Sequence, residues 1–102
     1  MELKERASFN SINQILHRKG FVCLDKFNWT KGNTYPIPDG VSGFWVRKDT
    51  SKVIYVSTHM NASYFGNTLI RTAKNERDYF GGANHWVFTS EELVDLAIKL
   101  TN

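Results

Sequence analysis

Arg47, Lys48, Lys52, Arg71, Lys74 and Arg77 are interleaved with Trp45 and Tyr55, and Trp29 stands upstream. Lys and Arg side chains neutralise phosphates, and exposed aromatic rings stack on bases. Together they suit single-stranded nucleic acid or flexible RNA. The expected binding residues are therefore Trp45, Arg47, Lys48, Lys52, Arg71, Lys74 and Arg77, with Tyr55 or Trp29 as further stacking rings.

Other chemistries find less material. His17, His59 and His85 lie far apart, without the two-ligand helical spacing or cysteine companions of a structural zinc site. No metal ligand set and no cofactor are expected. Gly81-Gly82 precedes a short strand-like run, not a helix, so it does not form a phosphate-cradling loop. Ser57, Thr58 and His59 are adjacent, but a nucleophile and its base are defined by geometry and not by sequence proximity. Cys23, the single cysteine, lies in the apolar run Phe21-Val22-Cys23-Leu24 and reads as a small buried hydrophobe.

Charge is distributed unevenly. Of the net +3, residues 17 to 74 carry nine Lys and Arg against Asp25, Asp39 and Asp49, while Glu91, Glu92 and Asp95 face Lys99 near the end. A basic middle and an acidic end permit an oriented anionic partner. At 102 residues, 41% apolar and 14% aromatic, the chain fits one domain over residues 1–102 with a core that needs no disulfide. The mixed-charge start Met1-Glu2-Leu3-Lys4-Glu5-Arg6 does not read as a secretory signal, and no run reaches membrane-spanning length. The expectation is a cytoplasmic protein with no membrane association.

These residues need elements to hold them. Ser8 is placed to cap a helix whose apolar positions are Phe9, Ile12, Ile15 and Leu16, and Gly20 stands where a left-handed C-terminal cap belongs. Phe21 to Leu24 then reads as a short buried strand. Asn28 to Ser42 reads as a loop, with both prolines and a Pro38-Asp39-Gly40 turn signal. Gly43 to Lys48 and Val53 to Ser57, joined by Asp49-Thr50-Ser51-Lys52, read as a hairpin. Alternation places Phe44 and Val46 opposite Trp45 and Arg47 on its first strand; Phe44, Val46, Ile54 and Val56 are assigned to the core, and Trp45, Arg47 and Tyr55 to the other face.

Residues 61 to 80 fit two patterns. Phe65, Leu69 and Ala73 recur at four-residue spacing, which favours a helix ended by Gly81-Gly82, with Arg71, Lys74 and Arg77 near one side; Thr68 to Thr72 also fits a strand. His85 to Phe88 reads as a short strand. Thr89-Ser90-Glu91-Glu92 then opens a last helix as a capping box, with Leu93, Leu96, Ala97 and Leu100 as its buried stripe. The fold expected is α+β: a small, mostly antiparallel sheet of about four strands with an N-terminal helix and a C-terminal helix packed on it.

Gly43-Phe44-Trp45, Tyr55-Val56-Ser57 ten residues on, Arg71, and a helix opening with Glu91-Glu92 together resemble the layout of the GIY-YIG nuclease family over residues 40 to 100. The resemblance implies a small α+β domain cutting nucleic acid with a divalent metal. It also implies that Tyr55 assists the attacking water, Arg71 stabilises the phosphate, and Glu92 or Glu91 holds the metal. Such chemistry needs a metal to gather negative charge and a cation to meet it as it grows. The chain departs from the family where Trp45 replaces the first-motif tyrosine, Ser57 the second-motif glycine, and Arg71 comes later in the sequence.

Those departures turn the reading from cutting to binding. The expectation is a small basic binding or interaction protein of inhibitor or adaptor type, not an enzyme, whose partner is nucleic acid or a nucleic-acid-processing protein. The alternative is a divergent GIY-YIG-type metal-dependent endonuclease using Tyr55, Arg71 and Glu92.

Overall fold

The computed structural model describes residues 9–28, 41–57, 68–78 and 81–102. The Ser8 cap, Trp29, the Pro38-Asp39-Gly40 turn, His59, and the beginning and end of the helix expected over 61 to 80 lie outside them. The element order is α1 (Phe9–His17), β1 (Phe21–Asn28), β2 (Val41–Arg47), β3 (Val53–Ser57), β4 (Thr68–Ala73), β5 (His85–Val87) and α2 (Ser90–Leu100). All five strands join in sequence order into one antiparallel sheet, β1-β2-β3-β4-β5. The α+β class, with an N-terminal and a C-terminal helix packed on the sheet, is as expected from sequence.

Local chemistry accounts for the helix ends. At the end of α1 the chain turns through Lys19 N–H to Leu16 O (3.0 Å) and Gly20 N–H to His17 O (3.1 Å), with Gly20 at φ +87°. That left-handed value is open to glycine at no steric cost. At the start of α2 the capping box forms as read. Glu92 N–H donates to Thr89 Oγ1 at 3.1 Å, and Thr89 N–H returns a bond to Glu92 Oε1, also at 3.1 Å.

Both helices cover one sheet face. Ile12 and Leu16 of α1 and Leu93 and Ala97 of α2 pack with Phe21, Trp45, Ile54, Val56, Ile70 and Val87. Fully burying each Val, Leu, Ile or Phe side chain among them contributes about 1.5–3 kcal/mol. The opposite face gathers a second cluster built from strand residues, Phe44, Val53, Tyr55 and Leu69, with Val46, Ala73 and Trp86 against it. Because both faces are buried, β3 is buried at every position.

Three expectations change. Residues 68–73 form strand β4, not part of a helix, and supply the fifth strand. Leu69 and Ile70 are consecutive, yet 3% and 0% exposed on opposite faces. A strand buried on both sides loses the alternation that would separate it from a helix. β1 likewise continues past Leu24 to Asn28, because a bulge between Cys23 and Asp25 lifts Leu24 out of register and leaves it exposed.

The third change concerns the hairpin faces. Arg47 N–H bonds Lys52 O at 2.9 Å, so the loop is Lys48 to Ser51 and the register pairs Phe44 with Tyr55 and Trp45 with Ile54. Cross-strand partners share a face. Trp45 therefore joins Ile54 and Val56 under the helices, and Tyr55 joins Phe44 on the opposite side. Gly43 makes room for this arrangement. A Cβ there would lie 2.8 Å from two indole carbons of Trp45 and 2.9 Å from the Asp25 carbonyl oxygen, so the bare backbone lets the ring lie along its own strand.

Candidate functional site

The meander gathers basic residues from three separated segments. β1 begins opposite Arg47, where β2 ends, and β3 begins at Val53 opposite Ala73, where β4 ends. The α1–β1 turn, the β2–β3 turn and the segment after β4 therefore emerge at the same end of the sheet. They carry Arg18 and Lys19, Lys48 and Lys52, and Lys74 and Arg77, all exposed. Lys48 N–H donates to Gly20 O at 3.0 Å, which joins the first two segments. Lys52 and Lys74 line one groove of about 450 Å³ with Val53, Thr72 and Ala73, which joins the second and third.

Acids temper this end without cancelling it. Asp49, Glu76 and Asp78 share these segments with the six cations. The Asp78 carboxylate accepts from Lys74 N–H at 2.9 Å and closes the turn that keeps Arg77 beside Lys74. By local sequence alone Arg18 and Lys19 suit the negative end of α1; their place next to Lys48 depends on a contact between residues distant along the chain.

Arg47 is engaged elsewhere. Its Nη1 donates to Ile98 O at 3.3 Å, Thr101 Oγ1 at 3.5 Å and Asn102 Oδ1 at 2.8 Å, at the C-terminal end of α2. A cation there meets the unsatisfied carbonyls and the negative end of the helix dipole, an interaction worth about 0.3–1 kcal/mol. Lys52 Nζ also reaches this end, donating to Asn102 O at 2.5 Å, though its residue stays exposed. Arg47 thus anchors a helix.

Of the three rings expected to stack on bases, the two among the described residues are internal. Trp45 and Tyr55 are each 1% exposed. The Trp45 indole N–H donates to Asn13 Oδ1 of α1 at 2.9 Å, and Tyr55 O–H donates to Ser42 Oγ at 3.2 Å. Neither ring presents a face for base stacking, which corrects the stacking role assigned to both. Their alternation with polar residues resembles that of an exposed strand; the covering of both sheet faces decides otherwise.

Arg71 is likewise not a surface cation. It lies on β4 directly opposite Tyr55, 9% exposed, with its guanidinium carbon 4.3 Å from the centre of the Tyr55 ring. Its Nη1 reaches Asn84 Oδ1 at 3.4 Å, and its buried Nε has no hydrogen-bond partner among the described residues. Burial pulls its pKa below the ordinary arginine value, opposed by Tyr55 and by the Asp78 carboxylate. The expected helical row of Arg71, Lys74 and Arg77 is replaced by one buried strand residue and two cations in the turn beyond it.

Of the residues named for catalysis, the structure brings Tyr55 and Arg71 together. Glu92 stands at the start of α2, on the helix-covered side, and its Oε1 accepts from Phe88 N–H at 3.2 Å and Thr89 N–H at 3.1 Å. Among the described residues, no three His, Cys, Asp or Glu side chains group as a metal site would require. Nor is any described helix long and apolar enough to cross a membrane.

Sequence reasoning passed over one polar group. Ser42 Oγ donates to Ser57 Oγ at 2.6 Å, and with Tyr55 these hydroxyls form a buried chain beside Phe44, whose ring centroid lies 4.9 Å from that of Tyr55. Serines at the ends of two paired strands were the available signal, and only the register shows that they meet. Compared with protein-family models, with curated proteins and with solved structures, the chain matches none.

Proposed function

We propose that this is a nucleic-acid-binding protein, not an enzyme, and that it grips phosphates through the cations at one end of its sheet. The observation that carries this reading is the convergence of Arg18, Lys19, Lys48, Lys52, Lys74 and Arg77 from three separate segments, held by the Lys48 to Gly20 bond and the groove shared by Lys52 and Lys74. With Trp45 and Tyr55 internal, the contact is to backbone charge and not to bases. Such binding weakens steeply with salt, and each phosphate contact removed lowers the slope of log K against log salt by about 0.7–0.9. Fluorescence anisotropy on labelled DNA and RNA over a salt series tests this, comparing the parent with a Lys48→Ala, Lys74→Ala, Arg77→Ala variant. Absent or salt-insensitive binding overturns it. A protein that still co-purifies after nuclease treatment points instead to a nucleic-acid-processing partner.

The pairing of Tyr55 with Arg71 favours a second reading, a divergent GIY-YIG-type endonuclease. Cleavage would then require a divalent metal and vanish in Arg71→Ala and Glu92→Ala. No cutting across varied DNA and RNA substrates, in parent protein that remains folded, counts against it.

A further inference from the structure

A groove of about 400 Å³ opens between the two helices. One wall carries Ile15 of α1 with Arg18 and Lys19 of the turn after it, and the other carries Glu91, Val94 and Asp95 of α2. The first wall is therefore cationic and the second anionic, with the charged residues exposed and Ile15 and Val94 half-buried. Glu91 is engaged by its neighbour, since Ser90 O–H donates to Glu91 Oε2 at 2.7 Å. Arg18, Lys19 and Asp95 are not: among the described residues their side chains form no hydrogen bond or ion pair, so the two walls carry opposite charge without bridging it.

A groove of this kind is complementary to itself. Rotating a second copy by half a turn about an axis along the groove carries its cationic wall over the anionic wall of the first, and its anionic wall over the cationic one. An axis across the groove would instead set Arg18 and Lys19 against their own copies, where like charges repel. Charge thus selects one of the two arrangements. We infer that this protein associates with a second copy of itself through the groove between α1 and α2, with α1 of each copy lying over α2 of the other, Arg18 and Lys19 meeting the partner's Asp95, and Ile15 meeting the partner's Val94. Helices of nine and eleven residues present a short face, so the dimer belongs to the weak, transient class and loosens with salt. It does not rest on the nucleic-acid reading.

The test is sedimentation equilibrium of the full chain, without nucleic acid, from about 10 μM to about 1 mM protein at low and high salt. The parent should pass from monomer to dimer within that range, and its dissociation constant should rise with salt. Each substitution appears twice across the two-fold axis, so Asp95→Arg, and Arg18→Glu combined with Lys19→Glu, should each weaken association about tenfold or more. Mixed in equal amounts, the two variants complement each other on both walls and should recover the dimer. A parent that stays monomeric throughout overturns the inference, as does a dimer that neither variant weakens. Folded variants that remain monomeric when mixed also overturn it. If either variant does not fold, isotope-filtered NMR on a mixture of labelled and unlabelled parent decides: intermolecular contacts between Ile15 and Val94 support the groove, and intermolecular contacts confined to other surfaces overturn it.

Discussion

The indole of Trp45 and the side-chain amide of Asn13 are joined by a 2.9 Å hydrogen bond that ties the middle of β2 to α1. It fixes a helix of nine residues, too short to be stable by itself, onto the sheet. Asn13→Ala removes the acceptor and should lower stability by about 1 kcal/mol. Trp45→Phe also empties part of the indole's volume and should cost about 2–3 kcal/mol. Denaturant titration of both single variants and the double variant checks the coupling. Because both changes break one bond, the combined loss should be smaller than the sum of the two.

Ser51 sits at φ +62° in the β2–β3 loop, exposed, with its N–H bonded to Arg47 O at 2.7 Å. A side chain in that left-handed region costs energy that glycine avoids, partly offset by the greater freedom of glycine in the unfolded chain. Ser51→Gly should raise stability by about 0.5–1 kcal/mol, and Ser51→Val should lower it by at least as much. Thermal melts of the two variants should move in opposite directions from the parent.

Arg47 and Lys48 are neighbours with separable roles. Arg47→Ala removes the contacts to Ile98, Thr101 and Asn102 and should cost about 1–2 kcal/mol of stability, with little change in the salt dependence of nucleic-acid binding. Lys48→Ala should leave the denaturation midpoint within about 0.5 kcal/mol of the parent while lowering the salt slope. A reversal of these two outcomes would show that Arg47, not Lys48, contacts the partner.

Replacing Arg71 by lysine makes its buried charge accessible to titration. The burial that pulls the Arg71 pKa down would act on a lysine too, placing its folded-state value below the unfolded value of about 10.4. Between those two values the unfolded chain binds more protons than the folded one. Stability of Arg71→Lys should therefore rise with pH through that window, relative to the parent. Denaturation midpoints measured from neutral to alkaline pH should show the gap between variant and parent closing. A constant gap would mean that the lysine reaches solvent.

Features written within a few neighbouring residues were legible in the chain. The α2 capping box needs only Thr89 and Glu92, the end of α1 needs Gly20, and the β2–β3 hairpin needs two β-rich runs and a polar turn. From these the α+β class and the two helices followed, and the basic segments were visible as composition. What the tertiary structure alone decided was which surface each residue meets. The register set by Arg47 and Lys52 placed Trp45 and Tyr55 on opposite faces, and covering of both faces removed the alternation that would have marked β4 as a strand. The same pairing buried Arg71 on Tyr55, while strand order brought Lys19, Lys48 and Lys74 to one end. Spacing along a chain reports local hydrogen bonding; burial and the convergence of charge depend on partners that only folding brings together.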